Sequence, residues 1–291
     1  MLYTIQNQNL TVVLSDHGAE LQSVQSTDGT EWLWQGDPAY WERRAPVLFP
    51  HCGRFWNNLV TAYGVPCNPG MHGFLRDQPT VAEEVSGSSI VFRQTENSET
   101  LGRYPFPYEV RICYALEEDT ITVRPEIKNT GTRTMPYGYG GHPGFRVPFA
   151  GGDLEDYYIR FCDKSGAEAL CFDADNCFII GGSRPFPLRD GDRFDLCEDF
   201  FANGSTFLCH MPPEVTLMTD RSDRHITLRY PGFPYLGLWK APGGAFLCIE
   251  PWCSLPATSG QSTELTEKSD LLRLEPGQTH THTYSMQFSV R

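Results

Sequence analysis

The amino-acid sequence predicts an all-β protein, one large antiparallel β-sandwich spanning residues 1–291. Three observations carry this. Short segments of period-two alternation recur along the chain, turn residues separate them, and 27 glycines with 22 prolines leave few windows for a long helix.

The elements follow in order. "LTVVLS" at 10–15 alternates apolar and polar residues with β-branched side chains, the pattern of a half-buried strand. "SSIVFRQ" at 88–94, "YEVRICYAL" at 108–116, "TITVRPEI" at 120–127 and "HITLRY" at 225–230 repeat it. Turns are marked by Asp28-Gly29, Asn129-Thr130-Gly131, Asp190-Gly191 and Pro276-Gly277. The last strand, "HTHTYSMQFSV", places His280, His282, Tyr284, Met286, Phe288 and Val290 on one face. Its His-x-His pair is read as a structural feature of the strand end, because no third metal ligand stands nearby. No fixed-period repeat, low-complexity tract or linker divides the chain.

Composition bounds the function classes. With 40% hydrophobic, 13% aromatic and 20% charged residues, the chain can bury a sizeable core. Its 23 basic and 36 acidic residues give a net charge of −13 without a basic run, which argues against nucleic acid as a partner. "MLYTIQNQNLTVVLSD" lacks the features of a secretory signal, and no apolar run is long enough to cross a bilayer. The expectation is a cytoplasmic protein with no membrane partner. Ten cysteines without a CxxC pair are expected to be mostly buried free thiols rather than a disulfide framework or a structural zinc site.

Four stretches place ionisable groups in apolar surroundings. "APVLFPHCGRFW" carries His51 and Arg54, and a guanidinium there needs either a carboxylate partner or a polar ligand. "GMHGFLRD" sets His72 between glycines, as a hydrogen-bonded loop histidine or a site residue, with Arg76 close behind. "GYGGHPGF" holds His142, with glycines that permit close approach of backbone or ligand. In "GGAFLCIEPW", Glu250 follows a run of non-polar residues. Burial raises the pKa of such a carboxyl, which suits a general base, although pairing with Arg54 would serve structure instead. Trp56, Phe74, Phe145, Trp239 and Trp252 stand near these groups in sequence, and aromatic faces beside polar groups suit a sugar.

These stretches, in this order, resemble the aldose 1-epimerase (galactose mutarotase) family, most closely its LacX-like branch. The resemblance runs through "HGAELQSV", "DGTEWLWQGDPAYW", "PVLFPHCGR", "HGFLRD", "GGHPGF", "FPYLGLW", "FLCIEPW" and "LRLEPGQ". It implies a galactose mutarotase-like supersandwich that interconverts the α and β anomers of a free aldohexose without cofactor or metal. It implies that His142 is the general acid toward the ring oxygen and Glu250 the general base toward the anomeric hydroxyl. Arg54, His72 and Trp239 would hold the sugar, and the glycines around His142 would clear room for it while Pro143 aims the imidazole. The expected partner is a small monosaccharide, and the expected assembly a monomer or homodimer.

Two departures from the branch stand out. "EPWCSLPATSGQ" lacks an aspartate usual after the tryptophan, and His51-Cys52 replaces a more usual apolar pair, which would alter the pocket beside Arg54. Two other readings remain: a hexose-6-phosphate mutarotase in which Arg76 and Arg54 grip phosphate, and a sugar-binding module without turnover.

Overall fold

Alternation sets the burial pattern along the central hairpin. In Tyr108–Glu117 the side chains of Tyr108, Val110, Ile112, Tyr114 and Leu116 are buried, and the residues between them are more exposed. Its partner Thr120–Asn129 follows in register, Thr120 opposite Glu117 and Asn129 opposite Tyr108. The computed structural model describes residues 1–173, 177–202 and 204–290. Helix is confined to short pieces, and the α-helices Ser98–Arg103 and Glu198–Phe201 span six and four residues.

Two large sheets build the molecule. One runs in the order Arg193–Asp195, Tyr157–Phe161, Glu214–Thr219, Ser222–Arg229, Tyr284–Ser289, Thr120–Asn129, Tyr108–Glu117, Ser89–Thr95 and Val81–Glu83. The other runs Phe178–Pro185, Glu168–Asp173, Thr206–Cys209, Tyr235–Trp239, Phe246–Trp252, Gly140–Gly141 and Val47–Leu48. Pairing within both sheets is antiparallel. Tyr114, Ile121, Ile226 and Met286 of the first share a core with Leu236, Leu238, Leu247 and Ile249 of the second. This is the sandwich that the alternation predicts.

The last strand departs from its expected continuity. Tyr284–Ser289 and Thr279–Thr281 pair separately with Thr120–Asn129, and the chain is interrupted between them. The break lies beside Pro125, which has no N–H to give the ladder and accepts one bond from the N–H of His282 at 3.0 Å. The Tyr137 hydroxyl lies 2.9 Å from His280 Nδ1 and 2.8 Å from His282 Nε2, a structural clasp. Burial of cysteines is less complete than expected: Cys52, Cys67, Cys209, Cys248 and Cys253 are buried free thiols, while Cys162 is exposed. Among the described residues no helix is long and apolar enough to cross a membrane.

The strand Phe246–Trp252 is buried at each position, so both of its faces are covered. Leu247 and Ile249 enter the core between the sheets, whereas Phe246, Cys248 and Trp252 belong to clusters on the other face. Period two puts Glu250 on that outer face as well.

Candidate functional site

The site is built on this outer face and roofed by loops. Glu250 lies opposite Gly237 of Tyr235–Trp239, and a Cβ at Gly237 would stand 3.2 Å from the Cβ of Glu250. The glycine leaves the carboxyl its space. On the other flank, Gly140 pairs with Trp252 and Gly144 with Cys248, so His142 sits between two anchored points. Its N–H donates to Pro46 O at 3.2 Å, and the N–H of Ile249 donates to Pro143 O at 3.3 Å. The result is a direct contact, with His142 Nε2 3.2 Å from Glu250 Oε2 and side-chain exposures of 9% and 3%.

The glycines around His142 serve packing and do not open space for a sugar. An added Cβ would meet Ser254 Oγ at Gly138, Trp252 at Gly140, the Tyr284 ring at Gly141 and Trp41 at Gly144, each within 2.8 Å. Close approach of these side chains brings Trp41 and Trp252 against the site. The sequence signal was sound, and its occupant was different.

His72 has a left-handed backbone, with φ 61°, in a loop held against Gly53. Its own N–H donates to Gly53 O at 2.6 Å, while the Gly53 N–H donates to His72 Nδ1 at 3.1 Å. Nδ1 therefore accepts, which places the proton of the neutral ring on Nε2. Burial holds His72 well below the ordinary histidine pKa. The ring stands edge-on to His142 at 5.5 Å and to Trp252 at 5.4 Å.

Arg54 finds no carboxylate among the described residues, and its Nη2 lies 3.2 Å from Met71 Sδ. The structural pairing of Arg54 with Glu250 is thereby excluded, since Glu250 meets His142 instead. Arg76 donates from Nη2 to Met71 O at 2.9 Å and stands 3.7 Å from the Asp77 carboxylate, which also takes Arg43. Burial lowers the Arg76 pKa to about 10. Trp239 makes edge contacts with Trp41 at 5.4 Å and with His142 at 5.9 Å.

Arg54, His72, Arg76, His142, Trp239 and Glu250 all line one cavity of about 250 Å³. Trp41 is the wall that the sequence reading missed as a site residue: its ring stacks on His142 at 5.0 Å and 29°. It belongs to "DGTEWLWQGDPAYW", just before the charged run Glu42-Arg43-Arg44, and so lies outside the apolar stretches in which an isolated ionisable group drew attention. Met71, Phe172 and Phe207 also line the cavity. Of the five aromatics expected near the site, only Trp239 and Trp252 reach the cavity. Phe74 and Phe145 are in the core, and Trp56 packs on Phe178. His51 and Cys52 do not line the cavity, although Cys52 packs behind two of its walls. His51 stacks on Phe55 at 4.0 Å, and Cys52 packs with Leu48, Phe207 and Trp252. A larger depression of about 400 Å³ surrounds Lys268 and Asp270, but these two charges are paired with each other.

Electrostatics distinguish the His142–Glu250 pair. Burial pushes Glu250 well above the carboxylate range and lowers His142 to about 3. The empty pair thus favours a neutral imidazole and a protonated carboxyl, one mobile proton between two atoms. Among the described residues, two groups of side chains have metal-ligand chemistry: His142, Cys248 and Glu250, and Glu168, Cys209 and His210, each with ligand atoms within 4.8 Å of one another.

Comparison with known proteins decides the family, since the aldose 1-epimerase family model matches residues 1–287. The chain belongs to the aldose 1-epimerase family. A curated relative in keeping with this, the chromosomal LacX protein of Lactococcus lactis subsp. lactis, is 30% identical over 98% of this chain and 99% of its own. A galactose mutarotase related enzyme from Lactobacillus acidophilus superposes with a TM-score of 0.91 at 32% identity, covering 99% of this chain and 97% of that one. A galactose mutarotase-like protein from Lactobacillus casei gives a TM-score of 0.93 at 28% identity, covering 99% and 100%. This aldose 1-epimerase family member therefore has the galactose mutarotase-like fold, and the departure after Trp252 leaves the fold intact.

Proposed function

We propose that the protein is a mutarotase, opening and reclosing the ring of a free aldohexose at the His142–Glu250 pair. The observation that carries the reading is the 3.2 Å contact between His142 Nε2 and Glu250 Oε2 in an aromatic-walled cavity. The two oxygens that exchange protons in mutarotation are bonded to one carbon, so a donor and an acceptor in mutual contact address both.

The proton balance closes within the pair. With sugar hydroxyls replacing water around it, the pair acts as imidazolium and carboxylate. His142 gives its Nε2 proton to the ring oxygen as Glu250 takes the proton of the anomeric hydroxyl, and the C1–O5 bond breaks to leave the open aldehyde. After rotation about C1–C2, the protonated Glu250 returns its proton to the carbonyl oxygen. The ring hydroxyl attacks C1, and His142 recovers its proton. No proton is drawn from bulk water. His72, donating from Nε2, and Arg54 hold hydroxyls, while Trp239 and Trp41 offer apolar faces to the sugar C–H groups.

Polarimetry of freshly dissolved α-galactose and α-glucose tests this. His142→Asn and Glu250→Gln each lower kcat by about 10²–10⁴-fold, with the fold retained by circular dichroism and smaller changes in KM. Equal rates with wild type and with buffer would leave a sugar-binding module without turnover. Arg54, which has no carboxylate partner among the described residues, and Arg76 favour one second reading, a hexose carrying a phosphate. A rise in melting temperature with glucose 6-phosphate and none with glucose selects it.

A further inference from the structure

Cys248 lies directly behind the proton-transfer pair, and neither sequence spacing nor the mutarotase reading gives it a role. It shares the outer face of Phe246–Trp252 with Glu250, two residues on, and Gly144 pairs across from it just beyond His142. Its thiol is fully buried and makes no hydrogen bond with another described residue. One atom each from His142, Cys248 and Glu250 lie within 4.8 Å of one another, and His142 Nε2 is 3.2 Å from Glu250 Oε2.

We propose that His142, Cys248 and Glu250 form a site for a soft divalent cation of the zinc type, whose occupation blocks the cavity. A tetrahedral zinc centre with Zn–N and Zn–O near 2.0–2.2 Å and Zn–S near 2.3 Å has ligand-to-ligand edges of roughly 3.2–3.8 Å. His142 Nε2 and Glu250 Oε2 already have that edge, and the thiol, within 4.8 Å, completes it by a shift of at most about 1.6 Å. One nitrogen, one sulfur and one oxygen make a donor set that selects zinc over magnesium or calcium. His142 and Glu250 line the cavity and Cys248 does not, so the ion enters past the first two and the fourth position faces the cavity. On binding, the thiol and the carboxyl release their protons to buffer and the imidazole gives its lone pair, with no change of oxidation state. The same two side chains cannot then exchange protons with a sugar.

The site itself stands apart from the mutarotase reading, and only its inhibitory consequence rests on it. Titration of the chelator-treated, full-length chain with Co²⁺, followed by absorption, reads the site directly. One Co²⁺ per chain with a thiolate-to-cobalt band in the near ultraviolet is expected, displaced by Zn²⁺. Cys248→Ser removes the band and weakens binding at least about tenfold, and Cys209→Ser, at the other His/Cys/Glu cluster, leaves both unchanged. Cys248→Ala gives the same answer if the serine variant folds poorly. In polarimetry Zn²⁺ slows the wild type at least about tenfold and chelator restores it, while the zinc-treated to untreated ratio of Cys248→Ser stays near one. No cobalt–thiolate band in wild type, or a band that survives Cys248→Ser, overturns the proposal. A band lost in Cys248→Ser from a chain with no turnover supports the site and sinks only the mutarotase reading.

Discussion

Gly140 shows how narrowly single residues shape this site. A Cβ there would stand 2.6 Å from Trp252 Cδ1 and 2.9 Å from Cys52 Sγ, and Trp252 is both a core residue and a cavity wall. Neither neighbour is the free end of a flexible side chain. Gly140→Ala is therefore expected to cost about 1–3 kcal/mol in urea unfolding and to raise KM through the displaced indole. An unchanged KM would detach Trp252 from sugar binding. The same scale explains a misreading from sequence. A glycine cluster signals close approach, but only neighbours distant in the chain, here Ser254, Trp252, Tyr284 and Trp41, reveal what approaches.

At the scale of elements, Phe246–Trp252 divides stability from chemistry between its two faces. Ile249 is 1% exposed in the inter-sheet core, and its neighbour Glu250 faces the cavity. Ile249→Ala is expected to lose about 2–5 kcal/mol of stability, with kcat per folded molecule changed less than threefold. Glu250→Gln gives the reverse, so urea melts and initial rates on the two variants separate the faces. The flanking strands follow the same logic. Gly237 yields room to Glu250, and the loop carrying His142 is pinned at Gly140 and Gly144. Position comes from sheet registers, which local sequence does not encode.

For the whole molecule, buried histidines set the response to acid. Burial lowers His51 and His72 well below 6.5, His282 to about 4 and His142 to about 3. Between pH 6.5 and about 4 the unfolded chain thus binds more protons than the native one, and stability falls as pH falls. Glu250, pushed upward by burial, works in the opposite sense above its unfolded value, one group against five histidines, since burial lowers His280 as well. The expected melting temperature declines progressively from pH 6.5 toward 4. His51→Phe, which keeps the stack on Phe55, makes that decline shallower. A slope identical to wild type would show that His51 titrates normally.

Strand positions, the all-β class and the order of the family's motifs were legible because alternation, turn residues and short motifs are local properties. Leu10–Ser15 coincides with its sequence-predicted strand, and the 108–116 and 120–127 segments became the central hairpin. Arg54, His72, Arg76, His142 and Glu250 gather in one cavity while His51 stays outside it, since charge amid apolar neighbours marks burial but not which buried place. Trp41 on His142, the approach of Cys248 to His142, the tautomer of His72 and the break beside Pro125 were decided by tertiary structure alone. Each is a relation between segments tens to hundreds of residues apart or between neighbouring strands. Hydrogen-bond registers and packing fix such relations, and no single stretch of sequence contains both partners together with the geometry between them.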